Sequence, residues 1–118
     1  MIKFHELTQL KGCKVINADK IGNKTFKGVS IDSREIKPNE IFIAIKGENT
    51  NGHKYLKNVF RKGVKVAVVD RNWFQKNKYE FSKKTFVIVK NTIEALGELA
   101  RNHKNKFNVP TLCIGGSN

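Results

Sequence analysis

The stretch Ile41-Phe42-Ile43-Ala44-Ile45 decides the fold that the sequence predicts. It is an unbroken apolar run rich in β-branched residues, which is typical of a central strand that is covered on both faces of an α/β sheet. Two runs of the same kind, Val64–Val69 and Thr85–Val89, predict further buried strands. Residues 55–61, with apolar positions at helical spacing and Gly63 just beyond, predict a helix between the first two strands.

A last helix is predicted after residue 90. Asn91 and Glu94 have the spacing of a capping box, and the helix must end before Val109-Pro110, because the residue before a proline avoids helical backbone. We place its apolar stripe on Ile93, Leu96, Ala100, His103 and Phe107. The segment 70–84 shows no clear period and is predicted to be irregular, with Trp73 and Phe74 tucked beneath the fold.

The remaining segments complete an α/β prediction. A short helix or turn precedes Gly12, Val15-Ile16 is a strand, Gly22-Asn23 is the tip of a hairpin, and residues 27–33 form a strand with a polar end. Strands that alternate with helices indicate an α/β fold, here a small mixed sheet of about five strands with flanking helices. Thr111–Ile114 predicts one more strand. We divide the chain into a domain over residues 1–90 and a linker helix with the first strand of a further domain over residues 91–118.

Charge and composition restrict the partners. The chain has 118 residues and a net charge of +13, and 19 of its 23 basic residues are lysine. Thirteen Asn against five Ala indicate the codon bias of an AT-rich genome, which leaves a basic surface suited to an anionic ligand. A small nucleic-acid-binding protein is the alternative from a different class, since aromatic residues among the lysines could stack bases. These are Tyr55, Phe60, Trp73, Phe74 and Tyr79.

Several classes of protein are not expected. No apolar run approaches the ~20 residues of a membrane span, and the N-terminus has no apolar signal region, so we expect an intracellular protein without a membrane anchor. The two cysteines, Cys13 and Cys113, are a hundred positions apart and are expected to be reduced. Motifs for nucleophilic, acid–base or metal chemistry are missing from the printed sequence, so no catalytic or metal-binding residue is predicted.

Polar residues follow three of the predicted strands, where ligands of α/β sheets bind. Asp32-Ser33-Arg34 offers donors for an anionic or carbonyl-bearing ligand, although a simple turn capped by Asp32 is the alternative. The loop from Lys46 to His53 carries two glycines and polar side chains that could contact a base or a ribose, with a solvated loop as its alternative. Gly115-Gly116-Ser117-Asn118 begins as phosphate-binding loops do, but no lysine follows it here.

Taken in order, these segments resemble the N-terminal domain of the Mur ligases. The resemblance is carried by residues 29–34, 38–47 and 51–56, and by the closing run from Ala95 through Pro110 to Asn118. It implies a cytoplasmic enzyme of peptidoglycan synthesis that activates a UDP-muramoyl-peptide carboxylate with ATP, as an acyl phosphate attacked by an amine. Within the family, the branch that adds D-alanyl-D-alanine is the most similar, with the branch that adds diaminopimelate or lysine as the alternative.

The resemblance also implies roles for individual residues. Ile31 and Ser33 would contact the uracil and Arg34 the ribose-diphosphate region. The same pocket would be lined by Lys46, Gly47, Glu48, Asn49 and Thr50, and next to these would lie Asp32, Asn51, Gly52 and His53. Gly116, Ser117 and Asn118 match the first half of the family's ATP phosphate loop. The sequence departs from the family at Asn51, where an Asp is usual, and at Gly115, where a Thr is usual.

The implied partner is UDP-N-acetylmuramoyl-tripeptide, bound by a monomer that contacts neither nucleic acid nor membrane. ATP and Mg²⁺ are cofactors of the full-length family, and no cofactor is expected on these 118 residues themselves. The Gly-Lys-Thr of the ATP loop, the magnesium ligands and the amino-acid-binding domain are not among them. We therefore expect the chain alone to be catalytically incomplete. A third hypothesis is a non-catalytic regulator or remnant that folds but has no partner beyond itself.

Overall fold

The computed structural model describes residues 2–103 and the backbone of residues 107–108. The predicted strand Thr111–Ile114 and the glycine turn after it lie outside the described residues. In the described part, the strands are β1 Ile2–Lys3, β2 Lys14–Ile16, β3 Thr25–Phe26, β4 Gly28–Ser30, β5 Glu40–Ile43, β6 Val66–Asp70, β7 Thr85–Val89 and β8 Phe107–Asn108. The α-helices are α1 Phe4–Leu7, α2 Leu56–Arg61, α3 Arg71–Asn77 and α4 Thr92–Asn102. Single 3₁₀ turns cover Ala18–Lys20, Gly52–Tyr55 and Lys78–Phe81.

Six of these strands form one mixed sheet in the order β2-β7-β6-β5-β4-β8. All neighbours in it are parallel except β2, which runs antiparallel to β7. The strands β1 and β3 pair separately as a short antiparallel ribbon. The predicted α/β class and mixed sheet are confirmed.

The central strand β5 is buried along its whole length, as its apolar run predicted. Ile41 and Ile43 face one core cluster, which α1 and α4 cover, while Phe42 and Ala44 face a second cluster, which α2 covers. The period of two along a strand produces this division, because successive side chains point to opposite faces of the sheet. The result is a three-layer structure with helices on both faces.

The predicted hairpin around Gly22-Asn23 is wrong. The strand that follows it, β3, pairs with β1, and the strand that precedes it, β2, pairs with β7 at the far side of the sheet. Asn17 causes the separation: its backbone is left-handed (φ 57°), and its side-chain amide donates to the carbonyl oxygens of Ser82 (3.1 Å) and Lys84 (2.7 Å). These contacts hold the chain against the segment before β7.

The prediction of an irregular segment over residues 70–84 is also wrong, because it contains α3 and a 3₁₀ turn. Asp70 begins the helix, since its carboxylate accepts a hydrogen bond from the backbone N–H of Trp73 (3.0 Å). The helix is only partly buried, so no full apolar stripe marks it in the sequence. Trp73 and Phe74 are half-buried against the second cluster, which confirms their predicted packing.

The last helix begins as predicted but buries a different face. Asn91 caps it through its side-chain oxygen, which accepts from the backbone N–H of Glu94 (3.0 Å). The helix ends at Asn102, and Phe107 lies in β8 rather than on the helical stripe. Ile93 is 46% exposed, whereas the buried residues of the helix are Thr92, Ala95, Leu96 and Leu99. Leu96 is buried as predicted, whereas Ala95 and Leu99, rather than Ile93, complete the buried face because they pack in the core cluster with the strands and α1.

Helix α4 shares this core cluster with the strands and with α1. The division of the chain at residue 90 stays a prediction, but the helix after it packs on the sheet that precedes it. None of the helices in residues 2–103 is long and apolar enough to cross a membrane.

The buried face of α4 can be tested by paired alanine substitutions. Leu99 is 2% exposed, so Leu99→Ala should lower the free energy of unfolding by about 2–4 kcal/mol, the usual effect of removing a buried leucine side chain. Ile93→Ala on the opposite face should lower it by less than about 1 kcal/mol. Urea unfolding followed by circular dichroism measures both. The reverse order would restore the stripe that the sequence predicted.

Candidate functional site

A groove of about 1260 Å³ lies where the strands β4 and β5 end. Its walls are the segment after β4, the loop after β5, one face of α2 and the first turn of α4. The lining residues are Ile31, Asp32, Ser33, Arg34, Ile45, Asn49, Thr50, Asn51, Gly52, Lys54, Tyr55, Asn58, Arg61, Lys62, Ile93 and Leu96. Since β4 and β5 are parallel neighbours, their carboxyl ends meet at one edge of the sheet, which is the usual ligand position of α/β folds.

The first wall is a tight turn that begins at the end of β4. The Ser30 hydroxyl oxygen accepts from the Asp32 N–H (3.1 Å), and the Asp32 carboxylate accepts from the Arg34 N–H (2.8 Å). The Asp32 carbonyl then accepts from the Ile36 N–H (3.1 Å). Asp32 is therefore the capping residue of a turn, and this turn presents Ser33 and Arg34 to the groove.

Lys62 fixes the same turn from the opposite side. Its ammonium group donates to the carbonyl oxygens of Ser33 (2.7 Å) and Arg34 (2.8 Å). Lys62 is the residue that directly follows α2. The first wall and α2 therefore form a single unit, and the two carbonyls are already occupied by a cation of the protein itself.

The second wall is the loop of residues 46–52, called here the 46–52 loop. A bridge pairs Lys46 with Asn51, the Gly47 N–H donates to the Thr50 carbonyl (2.9 Å), and the Gly52 N–H donates to the Ile45 carbonyl (2.8 Å). The N–H of Lys46 also donates to the Thr92 hydroxyl of α4 (3.1 Å). The loop is thus closed on itself by backbone hydrogen bonds and is held to the helix that starts beside it.

His53 lies behind this loop and is only 3% exposed. Its Nδ1 lies 2.6 Å from the side-chain oxygen of Asn51, and its Nε2 accepts a hydrogen bond from the backbone N–H of Asp70 (2.9 Å). Its ring stacks on Trp73 with a centroid distance of 5.0 Å. Burial lowers the pKa of His53 to about 4, an effect that the nearby Asp70 carboxylate opposes and the Lys46 ammonium reinforces.

The groove carries a strong positive charge. Among its described lining residues, Arg34, Lys54, Arg61 and Lys62 are cationic and Asp32 is the one acid. The Arg34 side chain is 89% exposed and lies 3.7 Å from the Asp32 carboxylate, so most of its donors face solvent. The floor is apolar and consists of Ile31, Ile45, Ile93 and Leu96. Such a surface suits an anionic ligand that also carries a planar, weakly polar ring.

The structure brings most of the predicted site residues together. Ile31, Ser33, Arg34, Asn49 and Thr50 line the groove, and so do Asp32, Asn51 and Gly52, which were expected only to lie beside it. Lys46, Gly47 and Glu48 are in the same loop but are not lining residues. The roles of all these residues in binding a ligand stay predictions.

Sequence reasoning missed the helical wall of the groove. Asn58 and Arg61 are three residues apart on α2, and Tyr55 and Lys62, which flank the helix, lie three residues before Asn58 and four after it, so the four share one side of this segment. That polar periodicity was available in the sequence, but it is also the pattern of an ordinary solvated helix face. The part played by Ile93 was hidden because the predicted stripe placed this residue in the core.

The residues expected to contact ATP, Gly116, Ser117 and Asn118, lie outside the described residues, so ATP and Mg²⁺ stay predictions. Within residues 2–103, no three His, Cys, Asp or Glu side chains come together in a way that could hold a metal ion.

The aromatic residues do not favour the nucleic-acid hypothesis. Phe60 is buried, and Trp73 and Phe74 are packed against the second core cluster. Of the five residues considered for base stacking, Tyr55 and Tyr79 are exposed, and they belong to separate elements of the chain. The chain thus lacks, in its described part, the row of exposed rings on which successive bases stack.

Comparison with known proteins agrees with this geometry. Residues 25–104 match the family model described as Mur ligase family, catalytic domain. The chain belongs to the Mur ligase family. The resemblance seen in the sequence is therefore confirmed at the level of the family.

Members of two Mur ligase branches are similar to the chain. The UDP-N-acetylmuramoyl-L-alanyl-D-glutamate–2,6-diaminopimelate ligase of Clostridium tetani is 42% identical over 77 residues, which cover 65% of this chain and 16% of that protein. The UDP-N-acetylmuramoyl-tripeptide–D-alanyl-D-alanine ligase of Haemophilus influenzae is 33% identical over 119 residues, which cover 99% of this chain and 24% of that protein. The chain thus spans a quarter or less of the length of these relatives.

The fold is also that of a solved Mur ligase. The crystal structure of MurF from Acinetobacter baumannii superposes with a TM-score of 0.65 at 24% sequence identity, over 88% of this chain and 22% of that one. At this level of identity, the likeness supports the α/β architecture described above.

Gly52 lies where the end of the 46–52 loop packs closely against the backbone that follows β5. A β-carbon on it would lie 3.1 Å from the Ile45 nitrogen and 3.2 Å from the Ala44 Cα, whereas one on Gly47 would meet the Thr50 hydroxyl at 3.4 Å. Gly52→Ala should therefore lower the free energy of unfolding by about 1–3 kcal/mol, as overpacking does, and Gly47→Ala should change it by less than about 0.5 kcal/mol. Urea unfolding of both variants measures the difference. Equal changes in the free energy of unfolding of the two variants would contradict this account of the close approach at Gly52.

Burial of His53 predicts an acid-sensitive stability. The pKa of His53 is about 4 in the folded chain and 6.5 in a free histidine, so the folded state binds fewer protons between these values. Its contribution to stability is fully present above pH 6.5 and is lost as the pH falls toward 4. Lowering the pH from 7.5 to 5 should cost about 2 kcal/mol from this group.

The measurement is urea unfolding at pH 7.5 and pH 5, with two variants as controls. His53→Gln should remove most of the pH-dependent loss. His5→Gln changes an exposed histidine of α1 and should retain it. An equal loss in wild type and His53→Gln would show that other groups cause the acid sensitivity.

Proposed function

We propose that the groove binds the UDP end of UDP-N-acetylmuramoyl-tripeptide, and that the chain is the substrate-binding domain of an ATP-dependent ligase that adds D-alanyl-D-alanine during peptidoglycan synthesis. The observation that carries the proposal is the cationic groove at the carboxyl ends of two parallel strands, with an apolar floor. The family of the chain supports it.

The charges of the groove match those of a nucleoside diphosphate. A diphosphate is a multiply charged anion, and Arg34, Lys54 and Arg61 provide cationic groups along its path. Lys62 adds positive charge but holds the first wall through its own hydrogen bonds. Arginine is well suited to this task, because its planar guanidinium can donate two parallel hydrogen bonds to phosphate oxygens.

The rest of the groove suits the uridine. The uracil ring is planar and weakly polar, and Ile31 and Ile45 offer it an apolar surface beside the first wall. The Ser33 hydroxyl and the side-chain amides of Asn49 and Asn51 have donors and acceptors that could pair with the uracil carbonyls and imide or with the ribose hydroxyls.

The branch of the family is part of the proposal. The D-alanyl-D-alanine ligase of Haemophilus influenzae is 33% identical to the chain, which supports the tripeptide as substrate. The second candidate is a diaminopimelate-adding ligase acting on the shorter UDP-N-acetylmuramoyl-L-alanyl-D-glutamate. The 42% identity to the Clostridium tetani enzyme over 77 residues supports this second candidate.

The chemistry of the ligase would take place beyond the groove. In this proposal Gly116, Ser117 and Asn118 would help to hold ATP, which with Mg²⁺ would supply the activation of the substrate carboxylate as an acyl phosphate in the cytoplasm, while the groove keeps the UDP end fixed. The residues described here supply binding and orientation for that reaction. We propose that they do so as a monomer.

Isothermal titration of the 118-residue chain with UDP-N-acetylmuramoyl-tripeptide tests the proposal. Wild type should bind saturably, and Arg34→Ala should weaken binding about tenfold, because a charge-assisted hydrogen bond to phosphate is lost. Arg71→Ala is the matched control, since this exposed arginine begins α3 and is not a groove residue; it should leave the affinity unchanged.

Two competitors separate the alternatives. Tighter binding of UDP-N-acetylmuramoyl-L-alanyl-D-glutamate than of UDP-N-acetylmuramoyl-tripeptide would favour the diaminopimelate-adding branch. The proposal would be contradicted if neither UDP-N-acetylmuramoyl peptide bound saturably while single-stranded DNA or RNA bound with a steep dependence on salt. That result would support a nucleic-acid-binding protein.

A further inference from the structure

We infer that His53, fixed as the tautomer with its proton on Nδ1, is a positioning residue that holds the 46–52 loop in the shape required by the ligand. The inference rests on the proposed function for the identity of the ligand. Its structural part concerns the loop alone. His53 does not line the groove itself, so it would act through Asn51 and the backbone beside it.

The two ring nitrogens leave one protonation state that fits. The backbone N–H of Asp70 donates to Nε2 over 2.9 Å, so Nε2 must carry a lone pair. The neutral ring then has its proton on Nδ1, which donates to the side-chain oxygen of Asn51 over 2.6 Å. A doubly protonated ring would direct an N–H at the N–H of Asp70 and lose that hydrogen bond.

Asn51 connects the ring to the groove. Its side-chain oxygen also accepts from the backbone N–H of His53 (3.1 Å), which caps the 3₁₀ turn Gly52–Tyr55. Its backbone pairs with Lys46 across the base of the loop, and Asn51 itself is a lining residue. Displacement of the imidazole would therefore release the cap and the base of the loop together.

The other end of the imidazole is anchored in the core layer. Asp70 is 7% exposed at the end of β6, and its carboxylate caps α3 through the Trp73 N–H. Trp73 in turn stacks on the imidazole. Because these partners belong to the sheet and to α3, His53 connects the polar loop to both of these elements.

Burial keeps the imidazole ring neutral at ordinary pH. Burial lowers the pKa of His53, and the charged groups that face it in the described chain are the Asp70 carboxylate, which opposes this, and the Lys46 ammonium, which reinforces it. Asn51 adds no charge at Nδ1. Ligand binding should therefore not vary with protonation of His53 above pH 6, whereas a carboxylate at position 51 would raise the pKa and introduce such a dependence.

Amide hydrogen exchange of the ligand-free chain tests the structural part. The reporters are the N–H groups of Gly47 and Gly52, which donate within the 46–52 loop. His53→Phe keeps a ring on Trp73 but removes both nitrogens, and it should speed exchange of the two reporters about tenfold or more. His53→Gln, which can still offer an oxygen to the Asp70 N–H, should restore exchange to within about threefold of wild type. Amides of β7 are the internal control, and their exchange should change less than that of the two reporters in either variant.

Titration with UDP-N-acetylmuramoyl-tripeptide tests the functional part at a temperature where every variant is folded. His53→Phe should weaken binding about tenfold and His53→Gln by less than about threefold. If His53 were important only for overall stability, its substitution would speed exchange in β7 as much as at the two reporters and would leave the affinity of the folded chain unchanged. That result would overturn the inference. If wild type fails to bind the nucleotide, the proposed function fails, while the exchange of Gly47 and Gly52 still decides whether His53 orders the loop.

A pH profile provides a readout specific to the tautomer. Trp73 is the one tryptophan of the chain, and an imidazolium stacked on it quenches its fluorescence, so its emission reports the titration of His53. Asn51→Asp should move that titration to higher pH and make both loop protection and affinity fall as the pH drops through it. Wild type should show flat profiles between pH 6 and 8. A titration that does not move, or one that moves while binding and protection stay flat, would contradict the assigned hydrogen bonds.

Discussion

The parallel pairing of β4 with β5 is the constraint on which the site depends. The register sets Val29 beside Ile41 and Ser30 beside Phe42, so the two strands end together and their loops face one another. β5 cannot slip within this arrangement, because all its side chains are buried on two different faces. A shift by one residue would exchange the environments of Ile41 and Phe42. The position of the groove is thus set by core packing, while its chemistry is set by residues that contribute little to the core.

Polar contacts behind the groove carry this rigidity from the sheet to the loops. Asp70 uses its backbone N–H toward His53 and its carboxylate toward the start of α3, so one residue serves two layers. Lys62 has a similar role on the other wall, where its ammonium group satisfies two carbonyl oxygens of the turn. The Asp70 N–H is buried, and a buried polar group without a partner is costly, so its hydrogen bond to His53 restricts the conformations of the chain around it, whereas the Lys62 contacts are exposed. The groove is preorganised by a few such groups rather than by a large apolar contact.

The sequence allowed the buried strands and the polar strand ends to be predicted, because both depend on local composition. Ile41–Ile45 and the loop after it illustrate this. Strand partners could not be predicted in the same way: β3 pairs with β1 because Asn17 redirects the chain through contacts with carbonyls more than 60 residues away. The helical wall was missed for a related reason, and His53 was predicted only to lie next to the pocket, without its hydrogen bonds to Asn51 and Asp70. A polar helix face and a histidine at a helix entry have ordinary local patterns, and their positions relative to the groove depend on tertiary packing.

The pairing of β8 with β4 has a consequence for how this domain can be handled. Although β4 carries the first wall of the groove, it is an interior strand, since residues 107–108 cover its outer side in parallel register. A recombinant chain that stopped at residue 103 would leave Gly28–Ser30 as an open edge, with unpaired backbone groups ready to recruit a strand from another molecule. Domain boundaries chosen for expression or crystallisation should therefore extend past the end of α4 by at least these residues, or solubility will be lost at the side of the sheet that bears the ligand groove.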